Sequence, residues 1–402
     1  MTAPFSTSDR PRLRMRPKTD ARRIRHGFPW VYANEVVLDR RTKALAPGTL
    51  VVLEDADRNP LGLVAVNPMS KIVGRMLDRD IGAAIDQGWF EARLARALAL
   101  RETLFDAPYY RLVHAEADGL PGVIIDRFGD LAVIQANAAW ADQRLGDLAT
   151  AVQAVTGIGT LIKNSAGRTR SLEGLDDQNA VLSGALPKGP LPVPMNGATY
   201  MADVAGGQKT GLFFDQRPNH AFAQSVARDA RVLDVFSHVG GFGLAALAGG
   251  ARHALCVDGS APALALAEKG AAATDALARF DTRQGDAFDV LATLQEEGAT
   301  FDLVICDPPA FAPSKQALEA GLRAYERIAR LAAPLVAEGG VLGLCSCSHA
   351  ADLSRFRSAS VRGIGRAGRA PVLLHTGFAG PDHPQLPQLA ESGYLKALFF
   401  RL

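Results

Sequence analysis

The 402-residue sequence predicts an α/β protein in three parts: a small β-rich module at residues 10–82, a central α+β domain at 83–188, and a doubly wound parallel sheet at 195–402. Three observations carry this. Short apolar runs broken by turn residues fill the first part. Strand and helix periodicities mix in the second. Strand, loop and helix repeat in that order through the third.

In the first part, Trp30-Val31-Tyr32, Gly48 to Leu53, Leu61 to Val66 and Ile72 to Leu77 have the spacing of short strands. Ile81 to Thr103 carries Ala and Leu at intervals of three and four, which predicts an amphipathic helix leading out of the module. Gly122 to Asp126 and Leu131 to Ala136 read as strands of the central domain, with a helix near 140–155. The Pro- and Gly-rich stretch Leu186 to Pro194 punctuates the chain and marks a boundary. Beyond Arg231, Val232 to Phe236, Ala254 to Asp258, Phe301 to Cys306 and Gly340 to Cys345 read as strands separated by Ala-rich helices.

A chain of this length can bury a sizeable core without disulfides. Its four cysteines, Cys256, Cys306, Cys345 and Cys347, all fall in the C-terminal half and three lie in apolar runs, which fits a reducing compartment. No secretory leader or membrane-length apolar run is visible, so the reading is a cytoplasmic protein with no membrane partner. No residue set is assigned to a metal. The net charge of +2 is small, but residues 1–26 hold seven arginines and Lys18 against Asp9 and Asp20, a local net of +6. Such an arm suits phosphate binding, although a solvated tail would have the same composition. Arg355, Arg357, Arg362, Arg366 and Arg369 read as a solvated helix face or loop with RNA contact as the alternative.

Ligands of an open α/β sheet bind beyond the carboxyl ends of its strands, where the strand order reverses. Each functional candidate occupies such an end. Phe236-Ser237-His238-Val239-Gly240-Gly241 forms a Gly-rich turn that lets backbone approach a cofactor, ahead of a helix with free N–H groups. Asp258 ends the next strand about 20 residues on, where a carboxylate can accept hydrogen bonds from ribose hydroxyls or cap a helix. Asp286 ends another strand and could take an adenine amino group. Up to this point the pattern serves NAD and S-adenosylmethionine equally.

Asp307-Pro308-Pro309-Ala310-Phe311 ends the fourth strand with a carboxylate in a loop stiffened by two fixed φ angles, suited to meeting the nitrogen edge of a base. Cys347, in Cys345-Ser346-Cys347-Ser348-His349, lies just past the fifth, and neighbouring fourth and fifth strands would turn both side chains to one pocket. Methylation of a pyrimidine at carbon 5 needs that pairing, because carbon 5 becomes nucleophilic only after a thiolate adds at carbon 6. The thiol then requires nearby positive charge, a base or a helix N-terminus. Cys256 and Cys306 read as packing residues, while Cys345 and His349 could assist. Ahead of the sheet, Gln208, Lys209, Asp215, Gln216 and Arg217 form a dense polar cluster able to clamp a cofactor or RNA phosphate.

With these residues in hand, the sequence resembles the PUA-domain-containing bacterial 23S rRNA cytosine-5 methyltransferases, the ribosomal large-subunit methyltransferase I type, over nearly its whole length. Gly27-Phe28-Pro29-Trp30-Val31 looks like the PUA signature, and Arg111 to Gly122 with Asp126 to Asp130 looks like the family's central domain. Gly207 to Arg217, Phe236 to Phe242, Asp307-Pro308-Pro309 and Ser346-Cys347-Ser348 complete the match. The resemblance implies a Rossmann-like methyltransferase domain with S-adenosylmethionine as cofactor, Cys347 as nucleophile and Asp307 as base-binding carboxylate. It further implies cofactor contacts from Phe236, Ser237, Gly240, Gly241, Asp258, Asp286 and Asp307, with Gln208, Lys209, Asp215 and Arg217. The partner it implies is 23S ribosomal RNA, free or in an assembly intermediate, docked by the PUA module and its basic arm, and it leaves room for a homodimer. Two other readings compete: an amino-directed methyltransferase acting on guanine N2 or adenine N6, and a non-catalytic ribosome-assembly factor.

Overall fold

The computed structural model describes residues 10–206 and 211–402. The chain packs as two units, one running to Leu186 and taking in Asp382–Leu389, the other formed by Pro187–Pro381 and Ala390–Leu402.

Alternation of apolar and polar residues shapes the first unit. The strand Arg12–Arg14 buries only Leu13, and Trp30–Tyr32 buries only Val31. These two edge a five-stranded sheet whose inner strands are Thr49–Glu54, Pro60–Val66 and Ile72–Asp78. Leu13, Val31, Val51, Leu53, Val64 and Val66 close its core. The helix expected from Ile81 begins instead at Gln87, because the Asp86 carboxylate accepts from Trp89 N at 3.0 Å and caps it there. A second five-stranded sheet contains Val123–Phe128 and Leu131–Ala136. The helix expected near 140–155 is split into Ala139–Asp142 and Leu145–Thr156. Phe90 stacks on Trp140 with ring centroids 5.9 Å apart, and the apolar cluster around them includes Leu63, Ala65 and Leu77 of the first sheet. One core therefore serves both sheets.

The polar run from Arg111 to Gly122 becomes a buried charge network. Arg101 is fully buried and grips Asp118 with two N–H groups at 2.6 and 2.8 Å. It also donates to the carbonyls of Arg111 and Asp382, each at 2.9 Å. Arg111 pairs with Asp126 through Nε and Nη2, and its backbone N–H donates to Asp382 at 3.0 Å. Burial pushes the His114 imidazole down to about 2, so it stays neutral beside His383.

The second unit opens with a hairpin, Leu191–Met195 against Ala198–Ala202. Much of the stretch that reads as punctuation is therefore a strand, with Pro192 and Pro194 exposed and Val193 and Met195 buried. Asn196 and Gly197, at φ +52° and +72°, supply the two-residue turn. The main sheet has seven strands: β1 (Arg231–Val235), β2 (His253–Asp258), β3 (Phe280–Gln284), β4 (Phe301–Cys306), β5 (Val336–Ser346), β6 (Val372–Gly377) and β7 (Lys396–Arg401). Their order is β3-β2-β1-β4-β5-β7-β6. The first five are parallel, and β7 runs antiparallel between β5 and β6. Its helices are α1 (Arg217–Ser225), α2 (Gly241–Ala248), α3 (Ala261–Ala273), α4 (Ala287–Glu296), α5 (Leu318–Ala332) and α6 (Leu353–Arg366). The central strands are buried on both faces, which is why they read as continuous apolar runs. Among the described residues, no helix is long and apolar enough to cross a membrane.

Replacing Arg101 by Met keeps the side-chain bulk but strands the Asp118 carboxylate in the interior. The expected loss is about 3–5 kcal/mol, seen as a lower urea midpoint. A midpoint equal to that of the parent chain would contradict the role given to this network.

Candidate active site

Sheet order reverses between β1 and β4, and the site is built on the strand ends around that point. Asp234, fully buried in β1, accepts from Phe242 N at 3.1 Å and Gly243 N at 2.8 Å, so it holds the first turn of α2. Burial pushes its carboxyl up to about 7 against the pull of those two N–H groups. The turn above it doubles back through three left-handed residues, Phe236 at φ +63°, His238 at +50° and Gly240 at +83°. A Cβ on Gly240 would lie 3.1 Å from Leu244 Cγ and 3.2 Å from Ala267 Cβ, so glycine is required for space as well as for φ. Gly241 begins α2, and Ser237 is buried.

Asp258 fixes this turn. Its Oδ2 accepts from His238 N at 2.8 Å and its Oδ1 from Ser260 N at 2.8 Å, while Ser260 and not Asp258 caps α3. A strained backbone turn, a helix N-terminus behind it and a half-buried carboxylate at the next strand end fit an adenosyl cofactor with its ribose hydroxyls. Asp286 is exposed, and its carboxylate caps α4 through Phe288 N and Asp289 N at 2.9 and 3.3 Å. An adenine contact from that side chain would have to share the carboxylate with the helix.

Strands β4 and β5 are parallel neighbours, paired Cys306 to Leu344. Asp307 and Cys347 therefore leave the same edge side by side. Asp307 N donates to Val235 O at 3.1 Å, and Cys347 Sγ lies 4.0 Å from the Pro308 carbonyl oxygen. Both serines flanking Cys347 are tied down by Tyr325 of α5, whose hydroxyl bonds Ser348 Oγ at 2.8 Å and accepts from Ser346 Oγ at 2.9 Å. Ser348 Oγ also accepts from Ala312 N at 2.9 Å, linking the Cys347 loop to the Asp-Pro-Pro loop. Phe311 packs against Phe236, Phe288 and Tyr325 with centroids 5.0–6.3 Å apart, an aromatic wall beside the two loops.

Lys396, the first residue of β7, pairs with Ser346 across the sheet. Its buried ammonium donates to the carbonyls of Ser348 and Ala351 at 2.7 and 2.8 Å. Burial lowers its proton affinity to about 8, opposed by attraction to Cys347. Positive charge is one of the three settings the sequence reading allows for the thiol, beside a base and a helix N-terminus, yet Lys396, Tyr325 and Asp234 are not singled out there. No local motif marks them, because the last strand and α5 reach Cys347 only through the fold.

The other cysteines are packing residues in buried strands: burial pushes the thiols of Cys256, Cys306 and Cys345 up. Cys345 meets Gln216 and stays inside β5. His349 is exposed. Gln208 and Lys209 lie outside the described residues. Asp215 accepts from the Tyr394 hydroxyl at 2.6 Å, just ahead of β7, which sets it at the same sheet edge as Cys347. Arg217 opens α1 with its guanidinium over the Phe214 ring, 5.5 Å from the centroid. Three of the C-terminal arginines serve the fold: Arg362 and Arg366 pair with Glu326, and Arg369 caps carbonyls of Ala333, Val336 and Ala337.

Residues 164–401 match the S-adenosylmethionine-dependent methyltransferase family model, and residues 13–79 match a PUA-like domain. A ribosomal RNA large subunit methyltransferase of Deinococcus radiodurans is 35% identical over 100% of both chains. Ribosomal RNA large subunit methyltransferase I of Cronobacter sakazakii is 33% identical over 92% of this chain and 93% of its own. A solved Streptococcus mutans structure described as a SAM-dependent methyltransferase superposes with a TM-score of 0.83 over 98% of this chain and 100% of its own, at 20% identity. Another with the same TM-score, covering 98% and 99%, is a methyltransferase complexed with SAH. Fold, site and comparisons together define an S-adenosylmethionine-dependent methyltransferase carrying an N-terminal PUA-like domain. More narrowly, the chain belongs to the family of the bacterial ribosomal RNA large subunit methyltransferases I.

The four thiols differ in access, since Cys347 alone among them is only half-buried. Brief treatment with iodoacetamide is expected to label Cys347 first, read by peptide mass spectrometry. Equal labelling of Cys256 or Cys306 in the native chain would contradict this placement.

Proposed function

We propose that this chain methylates carbon 5 of a cytosine in large-subunit ribosomal RNA through a covalent adduct on Cys347. The observation that carries the reading is the seating of Cys347 Sγ 4.0 Å from the Pro308 carbonyl, on the strand end next to Asp307. The names of the relatives supply the class of RNA. In this reading the thiolate adds to carbon 6 of the ring, and the displaced electron pair makes carbon 5 a nucleophile. Asp307 holds the nitrogen edge of the base and promotes that addition. Bound S-adenosylmethionine supplies an electrophilic methyl group. After carbon 5 has taken the methyl, its proton leaves to a base, the carbon–sulfur bond breaks, and the ring and the thiolate are restored.

The cofactor would be held by Phe236, Ser237, Gly240, Gly241 and Asp258, with Asp286 at the adenine end and Asp307 toward the methyl group. Asp215 and Arg217 would complete the clamp at the sheet edge, and the family resemblance adds Gln208 and Lys209 as cofactor contacts. Lys396 acts here as a positioning residue: its donation to Ser348 O anchors the Cys347 loop, and its charge favours the thiolate. The PUA-like domain and the basic arm would dock the RNA.

The test is RNA carrying 5-fluorocytidine, in which the departing proton is replaced by fluorine and the adduct cannot resolve. With S-adenosylmethionine present, a covalent protein–RNA complex is expected, and Cys347→Ala prevents it. Methyl transfer that survives Cys347→Ala would overturn the cytosine-5 chemistry in favour of an amino-directed enzyme. Asp307→Asn should slow transfer by about 10²–10⁴-fold, the usual weight of a proton-handling group.

For Lys396→Met, alkylation of Cys347 at neutral pH should slow and its pH profile move upward. Lysine in the folded chain gives up its proton near pH 8, below its ordinary 10.5, so the unfolded state binds more protons between those values. Stability of the parent chain should accordingly gain a rising contribution across that window that the Met variant lacks. An unchanged alkylation profile would remove Lys396 from the mechanism.

A further inference from the structure

The first unit carries a cavity of about 470 Å³ lined by Arg12, Arg14, Arg41 and Arg58 together with Asp39 and Glu54. Local structure brings them there. Leu13 enters the core, so Arg12 and Arg14 project together from the outer face of their strand. Arg41 sits in the short helix Arg40–Lys43. Arg58 stands in the turn before Pro60, where Asp55 Oδ1 accepts from Asp57 N and Asn59 N at 3.0 and 2.9 Å.

Charge within the cavity is unbalanced. Four arginines face two carboxylates, a net of +2. Both carboxylates are already engaged: Glu54 pairs with Arg12, and Asp39 accepts from Thr42 N and Oγ at 2.8 and 2.9 Å. Among the described residues, no carboxylate lies within 4.0 Å of Arg14, Arg41 or Arg58, and the acid that attracts Arg41, Asp39, is already bonded to Thr42. Arg58 also holds φ at +68°, a left-handed conformation that costs a non-glycine residue about 1–2 kcal/mol. The backbone of this turn has no need of an arginine, and glycine would adopt it freely. Like charges drawn around one concavity repel each other, and a polyanion relieves that repulsion. Guanidinium groups are the side chains best shaped to grip phosphate oxygens two at a time.

We propose that this cavity is a phosphate-binding groove for the backbone of folded RNA, with Arg14, Arg41 and Arg58 as its free cations. The inference rests on the reading that the substrate is RNA, and it is independent of the cytosine-5 chemistry. Binding of the full-length chain to an unmodified transcript of large-subunit ribosomal RNA, measured between 50 and 200 mM salt, tests it. The logarithmic salt dependence should weaken by about 0.9 for each phosphate contact removed, hence by about 2–3 in Arg14→Ala/Arg41→Ala/Arg58→Gly. S-adenosylmethionine binding to the same variant should be unchanged by calorimetry. Arg58→Gly alone should bind RNA less tightly yet melt no lower than the parent chain, because it relieves a left-handed residue; a purely structural arginine would show the opposite pair. A triple variant with the parent's salt dependence overturns the groove. So does loss of binding to phosphatidylglycerol vesicles with no change toward RNA. A parent chain that fails to bind the transcript defeats the RNA reading and the groove together, whereas a weakened salt dependence beside failed 5-fluorocytidine trapping supports the groove and removes only the cytosine-5 chemistry.

Discussion

The pairing of β4 with β5 as parallel neighbours is the constraint from which the site follows. Parallel strands that share a register end at the same edge, so residues far apart in sequence arrive together without any contact between the segments that separate them. Asp307 follows one strand and Cys347 the other. The arrangement demands strands buried on both faces, and the apolar cluster of Val304, Leu342, Leu344, Tyr325 and Phe356 meets that demand with α5 and α6. Substitutions in that cluster would therefore reach the site through the spacing of the two strand ends.

Polar groups at the same edge cannot be explained by packing alone. Lys396 is buried with its ammonium on two backbone carbonyls, and Tyr325 is buried with its hydroxyl between Ser346 and Ser348. A buried ammonium opposes folding unless its hydrogen bonds are made. Here they are made to the loop that holds Cys347, so the cost of burying the charge fixes the geometry of the thiol's neighbours. The antiparallel entry of β7 beside β5 is what permits this, since it starts at the edge where β5 ends. A parallel strand in that position would have put its first residue at the opposite edge.

Much of this was legible in the sequence because each strand carries its own signal. Continuous apolar runs located β1, β2, β4 and β5, and their ends named Asp258, the last residue of β2, and Asp307 and Cys347, the residues just past β4 and β5. Asp286 was legible only as a strand-end acid, and the bonds it makes in the structure are those of a helix cap; the cap that the sequence allowed at Asp258 belongs to Ser260. What stayed hidden depends on long-range partners. Lys396 opens a strand that carries no motif, and Asp234 looks like any residue of an apolar strand until the helix N-terminus is placed above it. The Pro-rich stretch punctuates the chain and also carries a strand that its composition hides: prolines disrupt inner strands, but on a two-stranded hairpin their missing N–H groups face outward.

Basic residues of the first unit divide by partner and not by sequence. Arg75, Arg101 and Arg111 each face a carboxylate in the interior: Glu116 and Glu173, Asp118, and Asp126. Breaking such a pair leaves a buried charge, so these arginines answer to stability. Arg14, Arg41 and Arg58 lie at the surface around a concavity whose two acids are bonded to Arg12 and Thr42, so removing them strands no buried charge. The local net of +6 in residues 1–26 is a poor guide to this division, because Arg12 and Arg23 inside that stretch are neutralised by Glu54 and Glu35. Composition counts charges, whereas a polyanion meets only those the fold has left without a counterion.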